Sequence, residues 1–430
     1  MKPKFFVALA HTDTIACFNY PASEQKTRVS CLNLFPNTLK ENLLFSMSFD
    51  SSIHYDSMSS SLDPVGDTRQ LEKENRLPKR IFADCGAFQF RDLPRPMLGG
   101  VELDHEIAWE YYEKKHILSD HIWDEILLCS PDHIVTSDMD DAQAKNRFDF
   151  IAENAGLFLE KSKSNSRVYA VGVIHGRNVK ERIEQYEMFK SLGYEYVALG
   201  GMVPYSTKQK QVLGIVAGIK DIEKPVIDSS SILGMCRKDG IRLHIFGLNS
   251  PEWVRWWHRL QIDSFDGSKL STEGAANGWY YVANNGRGKG RDKPEKPTNV
   301  GDLYQRIAVK EMKADIWEWS IKNGIKIPIV PLTEKGVDTS CHCPACKYLK
   351  SSRCTSERCW YRKIDSNNRH VADPRMMGST EHNMGRVAHN AYIFSWLIEM
   401  IEIFNNLADN TKITDENSWL GNWKTIEVEH

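Results

Sequence analysis

Short β-rich runs that end at a polar residue or a glycine recur along this chain, and helical patterns follow several of them. Six such runs lie at residues 80–83, 134–137, 168–174, 196–199, 242–245 and 261–265. Helical patterns cover residues 179–192 and 251–260, and Pro251 after Ser250 is a favourable helix start. Because strands that alternate with helices form parallel sheets, this pattern restricts the fold to the α/β class.

The number of strand-and-helix units is large enough for a closed (β/α)8 TIM barrel. The alternative architecture, an open doubly wound sheet, usually has a glycine-rich phosphate loop after its first strand, and residues 5–12 contain no such loop. We therefore predict the barrel over residues 1–324, with its chemistry at the carboxyl ends of the strands.

A dense cysteine cluster with C-x-C-x-x-C spacing follows the barrel pattern. With a later histidine it offers four metal ligands, which are Cys341, Cys343, Cys346 and His382. This set suits tetrahedral Zn2+ in a structural site. The alternatives for the fourth ligand are Cys354, Cys359 and His370. We predict a zinc-binding subdomain over residues 325–383, inserted before a closing helix at about 384–404 in a C-terminal segment of 384–430.

A disulfide staple is the alternative explanation of the cysteine cluster. A chain of 430 residues can bury a core without staples, and the six-residue apolar run at 5–10 is too short for a signal-peptide core. In a reducing cell, clustered cysteines are more often metal ligands. We therefore expect a cytoplasmic protein, and no membrane insertion, because no apolar run approaches the length of a bilayer span.

The net charge of −2 gives the chain no general attraction for nucleic acid, so such binding requires a local basic patch. The segment 284–297, NNGRGKGRDKPEKP, offers one with Arg287, Lys289 and Arg291. A second basic stretch surrounds the cysteines at 347–363. Either stretch alone is better explained as a solvated loop.

Three aspartates lie at the ends of predicted strands, namely Asp84, Asp138 and Asp266. A single aspartate in such a position is often a helix cap, whereas three on one rim of a barrel indicate chemistry. A pair of carboxylates suits reactions at an anomeric carbon. One attacks or stabilises the oxocarbenium centre, and the other moves the proton of the leaving group.

Six motifs, in the same order along residues 84–383, resemble those of the tRNA-guanine transglycosylase superfamily. DCGAFQ at 84–89 resembles D-S-G-G-[FY]-Q, and FD at 265–266 is similar to the end of G-x-D-x-F-D, which carries the nucleophile. GVIHG at 172–176 is similar to G-I-V-Q-G, ALGGMVP at 198–204 to the family's glycine pair, and HIFG at 244–247 to H-L-F-G. The cysteine cluster with His382 resembles the family's zinc ligands.

The resemblance implies a pentosyltransferase that exchanges a base through a covalent intermediate. Asp266 would be the nucleophile that attacks C1′ of a nucleotide, and Asp84 would be the general acid and base. Asp138 would bind the amidine edge of the base, while Phe88 and Phe246 would stack on its ring. Further substrate contacts are implied for Gln89, His175, Gly200 and Gly201.

The chain departs from the family pattern at several positions, and these departures make it more similar to the branch of the superfamily that acts on DNA. His175 replaces a glutamine, the basic motif after the nucleophile is replaced by residues 267–272, and the interval from Cys346 to His382 is longer. We also expect no added RNA-binding domain of the archaeal type after the closing helix. That branch replaces guanine in DNA by a free 7-deazaguanine, such as 7-cyano-7-deazaguanine, in bacteria and in phage-infected cells. The resemblance thus implies DNA as a partner, and it leaves open whether helper proteins of a DNA-modification system are needed and whether the protein is a homodimer.

Two other functions remain open from the sequence. The chain is alternatively a tRNA-guanine transglycosylase with an unusual insertion, or a catalytically silent subunit that binds nucleic acid or a partner enzyme. The presence of both Asp84 and Asp266 argues against the silent subunit.

Overall fold

The computed structural model describes the barrel strands, the helices around them and several shorter pieces. The described residues are 3–8, 39, 41–47, 79–114, 118, 123–271, 279–283, 304–308, 332–333, 336–337, 363–364, 370–371, 387–399, 401, 426 and 428–429.

Eight parallel strands form a closed barrel and follow one another around it in chain order. They are β1 Lys4–Ala8, β2 Asn42–Ser46, β3 Arg80–Asp84, β4 Glu125–Cys129, β5 Val168–Ile174, β6 Tyr196–Leu199, β7 Arg242–Ile245 and β8 Ser264–Gly267. The barrel closes because β1 pairs with β8 through Phe5 and Phe265, and with β2 through Val7 and Leu43. The α/β barrel expected from the sequence is confirmed.

Helices cover the outside of the barrel. They are α1 His105–Lys114, α2 Asp141–Ser162, α3 Val179–Leu192, α4 Gln209–Ala217, α5 Ile232–Asp239, α6 Pro251–Arg259 and α7, residues 387–399. The α7 helix lies within the closing helix predicted from the apolar pattern. Among the described residues, no helix combines the length and the apolar character that a membrane span requires.

Side chains alternate between two apolar layers along each barrel strand. Phe6 lies in the barrel interior with Phe82, whereas Phe5 points outward into the layer beneath the helices. There the ring of Phe5 lies 4.8 Å from that of Phe394 on α7, measured between centroids. This alternation decides which residues at the strand ends face the mouth of the barrel.

Local sequence signals fix the ends of helix α3, which supports the mouth of the barrel. The side chain of Asn178 caps its first turn by accepting a hydrogen bond from the Glu181 amide, at 3.0 Å. Gly193 ends the helix in the left-handed region, with φ of 95°. The helix thus holds Arg182 beneath the mouth of the barrel, where its guanidinium donates to the carbonyl of Gly200 at 3.0 Å.

Two sequence-based strand assignments require correction. Residues 134–137 were predicted as a strand, but they are irregular, and the barrel strand is Glu125–Cys129. That strand is buried along its whole length, so its apolar run carries no alternation, and Pro131 follows it. The strand predicted at 261–265 instead spans Ser264–Gly267, because Gln261 still belongs to the left-handed turn after α6, with φ of 47°.

A charged cluster closes the end of the barrel opposite the mouth. Glu125 at the start of β4 pairs with Lys4 and Arg80, each at 3.0 Å, and also with Arg242. These residues begin four different barrel strands. Glu125 is 9% exposed, so the cluster ties the strands together in a largely desolvated setting.

In the described part of the chain, five short strand pairs lie outside the barrel sheet. Four are antiparallel: Met97–Leu98 with Val101–Glu102, Trp279–Ala283 with Tyr304–Ala308, Leu332–Thr333 with Gly336–Val337, and Lys363–Ile364 with His370–Val371. The fifth pairs Ile227–Asp228 in parallel with Val428–Glu429. In the sequence, the basic segment 284–297 lies between Trp279–Ala283 and Tyr304–Ala308.

Candidate active site

Strand alternation brings the polar residues near the carboxyl ends of the barrel strands to its interior face. Asp84 lies two positions after Phe82, and Asp266 lies two positions after Ser264, so each side chain shares the inward face of its strand. The same spacing applies to His175, Gly200 and Phe246. The result is a polar mouth above an apolar barrel interior.

Asp266 is a buried carboxylate with one well-held oxygen. Its Oδ1 accepts a hydrogen bond from the amide of Gly247 at 2.8 Å and contacts Nε2 of His244 at 3.3 Å. Gly247 adopts a φ of 75°, a conformation that favours glycine. The side chain is thus fixed in orientation, and no lysine or arginine among the described residues forms an ion pair with it.

Asp84 lies at the end of β3, partly exposed at the mouth but with its carboxyl group surrounded by protein. Burial raises the pKa of this carboxyl to about 7, and the negative charges of Asp132 and Asp266 add to the effect. Hydrogen bonds from the Gly86 amide and the Ser46 hydroxyl oppose it. Asp84 can therefore carry or release a proton near neutral pH.

A third carboxylate, Asp132, lies beside Asp84 and is only 2% exposed. Its two oxygens have separate partners, because the thiol of Cys85 donates to Oδ1 and Nε2 of His175 bonds to Oδ2. Asp132 follows strand β4 in a loop, and both of its partners follow neighbouring strands. The carboxylate is therefore held rigidly at the mouth.

The ring of His175 packs against a glycine pair. A Cβ atom on Gly200 would lie 2.4 Å from Cε1 of His175, so any side chain there would displace the imidazole. Gly201 has a φ of 67°, which also favours glycine. The Nδ1 atom of His175 is buried and has no hydrogen-bond partner among the described residues. A buried nitrogen without such a partner is unusual, and it marks His175 as a candidate ligand-binding residue.

The two phenylalanines that were predicted to stack on the base lie at different depths in the mouth of the barrel. Phe246 is half-buried, with its ring centroid 4.6 Å from that of His244 and 5.5 Å from that of Phe82. Phe88 is 53% exposed on a 3-10 turn, and the Arg91 guanidinium lies 4.5 Å above its ring. Gln89, on the same turn, is also exposed. An aromatic ring is thus present within the mouth and another at its rim.

The structure does not bring Asp138 into this cluster. Asp138 is exposed on a turn, where hydrogen bonds from the Thr136 hydroxyl and from its own amide lower its pKa. The buried carboxylate in this part of the chain is Asp132, which the sequence reasoning missed because it placed the strand too late. The signal that identifies it is the polar sequence SPDH directly after the apolar run EILLC.

Several predicted site residues lie outside the described residues. They are Arg287, Lys289, Arg291, Cys341, Cys343, Cys346 and His382. The roles given to them therefore stay predictions. Of the alternative zinc ligands, His370 lies on a described two-residue strand, while Cys354 and Cys359 do not lie in described segments.

One group in the described part of the chain has the spacing of metal ligands. The ligand atoms of Asp84, Cys85 and Asp132 lie within 4.8 Å of one another. Burial and the neighbouring carboxylates raise the pKa of Cys85 well above its ordinary value, so it is a thiol that donates to Asp132 rather than a thiolate. This group fits a hydrogen-bonded cluster better than a metal site.

Comparison with known proteins gives one partial similarity. No family model matches the chain. The chain is 28% identical over 208 residues to a DNA-guanine transglycosylase of Salmonella montevideo, an alignment that covers 44% of this chain and 41% of that relative. The chain thus spans about two-fifths of the length of the relative it matches. The chain is therefore similar, over part of its length, to a guanine transglycosylase.

Proposed function

We propose that this protein is a base-exchange transglycosylase that replaces guanine in DNA by a 7-deazaguanine through a covalent aspartyl intermediate. The observation that carries the proposal is the pairing of two unlike carboxyl groups at one barrel mouth. Asp266 is held as a hydrogen-bond acceptor, and Asp84 has a pKa raised to about 7. The similarity to a DNA-guanine transglycosylase supports the same chemistry.

The two carboxyl groups divide the reaction between them. Asp266 attacks C1′ of the target nucleotide, and its new C–O bond forms as the bond from C1′ to the base nitrogen breaks. The proton of neutral Asp84 moves to the departing guanine. In the second half, the incoming base gives its ring proton to ionised Asp84, bonds to C1′ and releases the Asp266 carboxylate. Protons and electron pairs balance over the full exchange.

Asp132 takes the role that the sequence analysis gave to Asp138. A buried carboxylate can accept two N–H donors in parallel, which suits the N1–H and exocyclic amine of guanine. The hydrogen bonds from Cys85 and His175 hold Asp132 in place but leave further lone pairs on its oxygens. Asp132 therefore reads the amidine edge, with His175 Nδ1 and the Gly200–Gly201 backbone beside it.

The aromatic rings and the basic segment account for the remaining contacts. Phe246 within the mouth and Phe88 at its rim stack on the two faces of the base. A guanine in duplex DNA must first be flipped out, at a cost of roughly a few kcal/mol. The basic segment at Arg287, Lys289 and Arg291 is proposed to hold the backbone that the flipped nucleotide leaves behind.

We also propose that the cysteine cluster binds a structural zinc ion. Cys341, Cys343 and Cys346 supply three thiolates, and His382 is the first choice for the fourth ligand. When bound, the metal would stabilise the fold of the cysteine-rich segment and take no part in the base exchange. Helper proteins and a homodimer remain part of the proposal on the basis of the resemblance.

The test is a base-exchange assay with labelled guanine placed in DNA and, separately, in unmodified tRNA. The incoming base is 7-cyano-7-deazaguanine. Release of label from DNA alone supports the proposal, whereas release from tRNA alone favours the tRNA enzyme. Release from neither substrate favours a missing partner protein or the silent subunit.

Matched variants connect that assay to the site. Asp266→Asn should abolish exchange and leave folding intact, because an amide is a far weaker nucleophile than a carboxylate. Asp138→Asn changes an exposed carboxylate and should leave exchange close to the parent rate. Exchange that survives in Asp266→Asn would overturn the choice of nucleophile.

A further inference from the structure

A buried polar chain runs from Asp266 into the barrel interior. Nε2 of His244 lies 3.3 Å from Oδ1 of Asp266, and Nδ1 of His244 lies 2.8 Å from the Ser264 hydroxyl. The Ser264 hydroxyl in turn bonds to the hydroxyl of Tyr196. His244 and Ser264 are completely buried, and Tyr196 is 1% exposed. Ser264 and Tyr196 lie outside the motifs that resemble those of the superfamily.

Aromatic rings limit the partners that the His244 ring can have. The ring centroids of Phe6, Phe82 and Phe246 lie 6.1, 4.4 and 4.6 Å from that of His244. These rings occupy the apolar surroundings of the imidazole. Its hydrogen bonds in the described part of the chain therefore run to Asp266 on one side and to Ser264 on the other.

The protonation states of the chain follow from its burial. Desolvation lowers the pKa of His244 in spite of the opposing hydrogen bond and charge of Asp266, so the ring is neutral and carries one N–H. Burial raises the pKa of Tyr196 far above its ordinary value, so its hydroxyl remains protonated. The chain thus contains three protons for three hydrogen bonds.

Only one direction of hydrogen-bond donation along this polar chain allows all three hydrogen bonds to form. Tyr196 donates to Ser264, Ser264 donates to Nδ1 of His244, and Nε2–H of His244 donates to Asp266. In the opposite direction, a bare Nε2 lone pair would face the Asp266 carboxylate, and the Tyr196 hydroxyl proton would have no acceptor within the chain. Because an unmade buried hydrogen bond costs about 1–3 kcal/mol, the first direction is favoured.

We propose that Tyr196 and Ser264 are positioning residues that fix the Nε2–H tautomer of His244 and thereby make Oδ2 of Asp266 the attacking oxygen. Both donors to the carboxylate, the Gly247 amide and His244 Nε2–H, act on Oδ1. Among the described residues, Oδ2 accepts no hydrogen bond of this kind, so its lone pairs stay available for C1′. This inference rests on the proposed function for its catalytic consequence, but the tautomer is a property of the protein alone.

The first experiment needs no substrate. The ring nitrogens of His244 are observed by 15N NMR in the histidine-labelled protein, with His244→Gln used to assign the signal. The expected result is a protonated Nε2 and a bare, hydrogen-bonded Nδ1. An Nδ1–H tautomer or a charged ring would overturn the inference, whether or not base exchange is ever observed.

The second experiment measures the kinetics of exchange. Ser264→Ala and Tyr196→Phe should each lower kcat about ten-fold with little change in KM. A ten-fold fall in kcat corresponds to the free energy of about one lost hydrogen bond. Ser264→Thr keeps the hydroxyl and should restore most of the rate. Full activity of folded Ser264→Ala would overturn the positioning role.

Tyr194→Phe is the matched control for Tyr196→Phe. Tyr194 is also a buried tyrosine, and its hydroxyl donates to the Ala155 carbonyl at 2.7 Å in the outer apolar layer. Its loss should lower stability but leave kcat and the His244 signal unchanged. An equal fall of kcat in both tyrosine variants would show a general packing effect and overturn the role of Tyr196.

Discussion

Replacing Asp84 by asparagine should stabilise the folded protein while abolishing its activity. The pKa of this carboxyl is raised from 3.8 to about 7, mainly by burial and then by the charges of Asp132 and Asp266. The folded state therefore disfavours the ionised form. Asparagine keeps the shape of the side chain, can still accept the hydrogen bond from the Gly86 amide and carries no charge.

The size and the pH dependence of this effect follow from the two pKa values. Below pH 3.8 both the folded and the unfolded protein hold Asp84 protonated, so the ionisation cost is absent. As pH rises towards 7, the unfolded chain ionises while the folded protein does not, and the cost grows. At about 1.4 kcal/mol per pH unit, it reaches about 2 kcal/mol at pH 5.5 and about 4 kcal/mol at pH 8.

The assay is urea denaturation of the parent protein and Asp84→Asn at pH 5.5 and pH 8, followed by circular dichroism. The gain in the free energy of unfolding should be about 2 kcal/mol larger at pH 8. Asp138→Asn is the control, because Asp138 is exposed and its pKa is lowered, so it should give no such gain. A gain that is absent, or that is equal at both pH values, would refute the raised pKa of Asp84.

Four further outcomes test other parts of the structure. The rate of guanine release at limiting substrate should fall as pH rises through about 7, because Asp84 must be protonated to release the base. Gly200→Ala should weaken binding of free guanine at least ten-fold in calorimetry, because its Cβ displaces His175, and unchanged binding would disprove the role of His175 and the glycine pair in binding the base. Glu125→Gln should lower the free energy of unfolding by about 3 kcal/mol, because three cations lose their shared partner, and an unchanged denaturation midpoint would contradict this. Cys343→Ser should remove zinc from the purified protein in elemental analysis, and full occupancy would exclude it as a ligand.

The barrel was predictable because its strands and helices repeat a simple pattern. Strands β5, β6 and β7 coincide with the runs predicted from the sequence, and so does helix α3. Strand β4 was misplaced because a strand buried on both faces lacks the alternation of a half-exposed one. One displaced strand was enough to direct attention to Asp138 instead of Asp132.

The carboxylates were predictable as candidates, but their different properties were not. Sequence places Asp84 and Asp266 at strand ends, yet the raised pKa of Asp84 depends on neighbours that are 48 and 182 positions away in the chain, Asp132 and Asp266. The contacts from Asp266 to His244, Ser264 and Tyr196 likewise join three strands. Such contacts follow from barrel closure, which no local pattern encodes.

The buried thiol beside Asp84 determines how the protein should respond to sulfhydryl reagents. Cys85 and the two other described free cysteines, Cys129 and Cys236, are buried, and burial raises the pKa of each. Alkylating agents and mild oxidants react with exposed thiolates, so these three cysteines should resist both while the protein is folded. Inactivation by such reagents would therefore report modification elsewhere in the chain, and a native-state count of labelled thiols would separate the barrel cysteines from the cluster at 341–346.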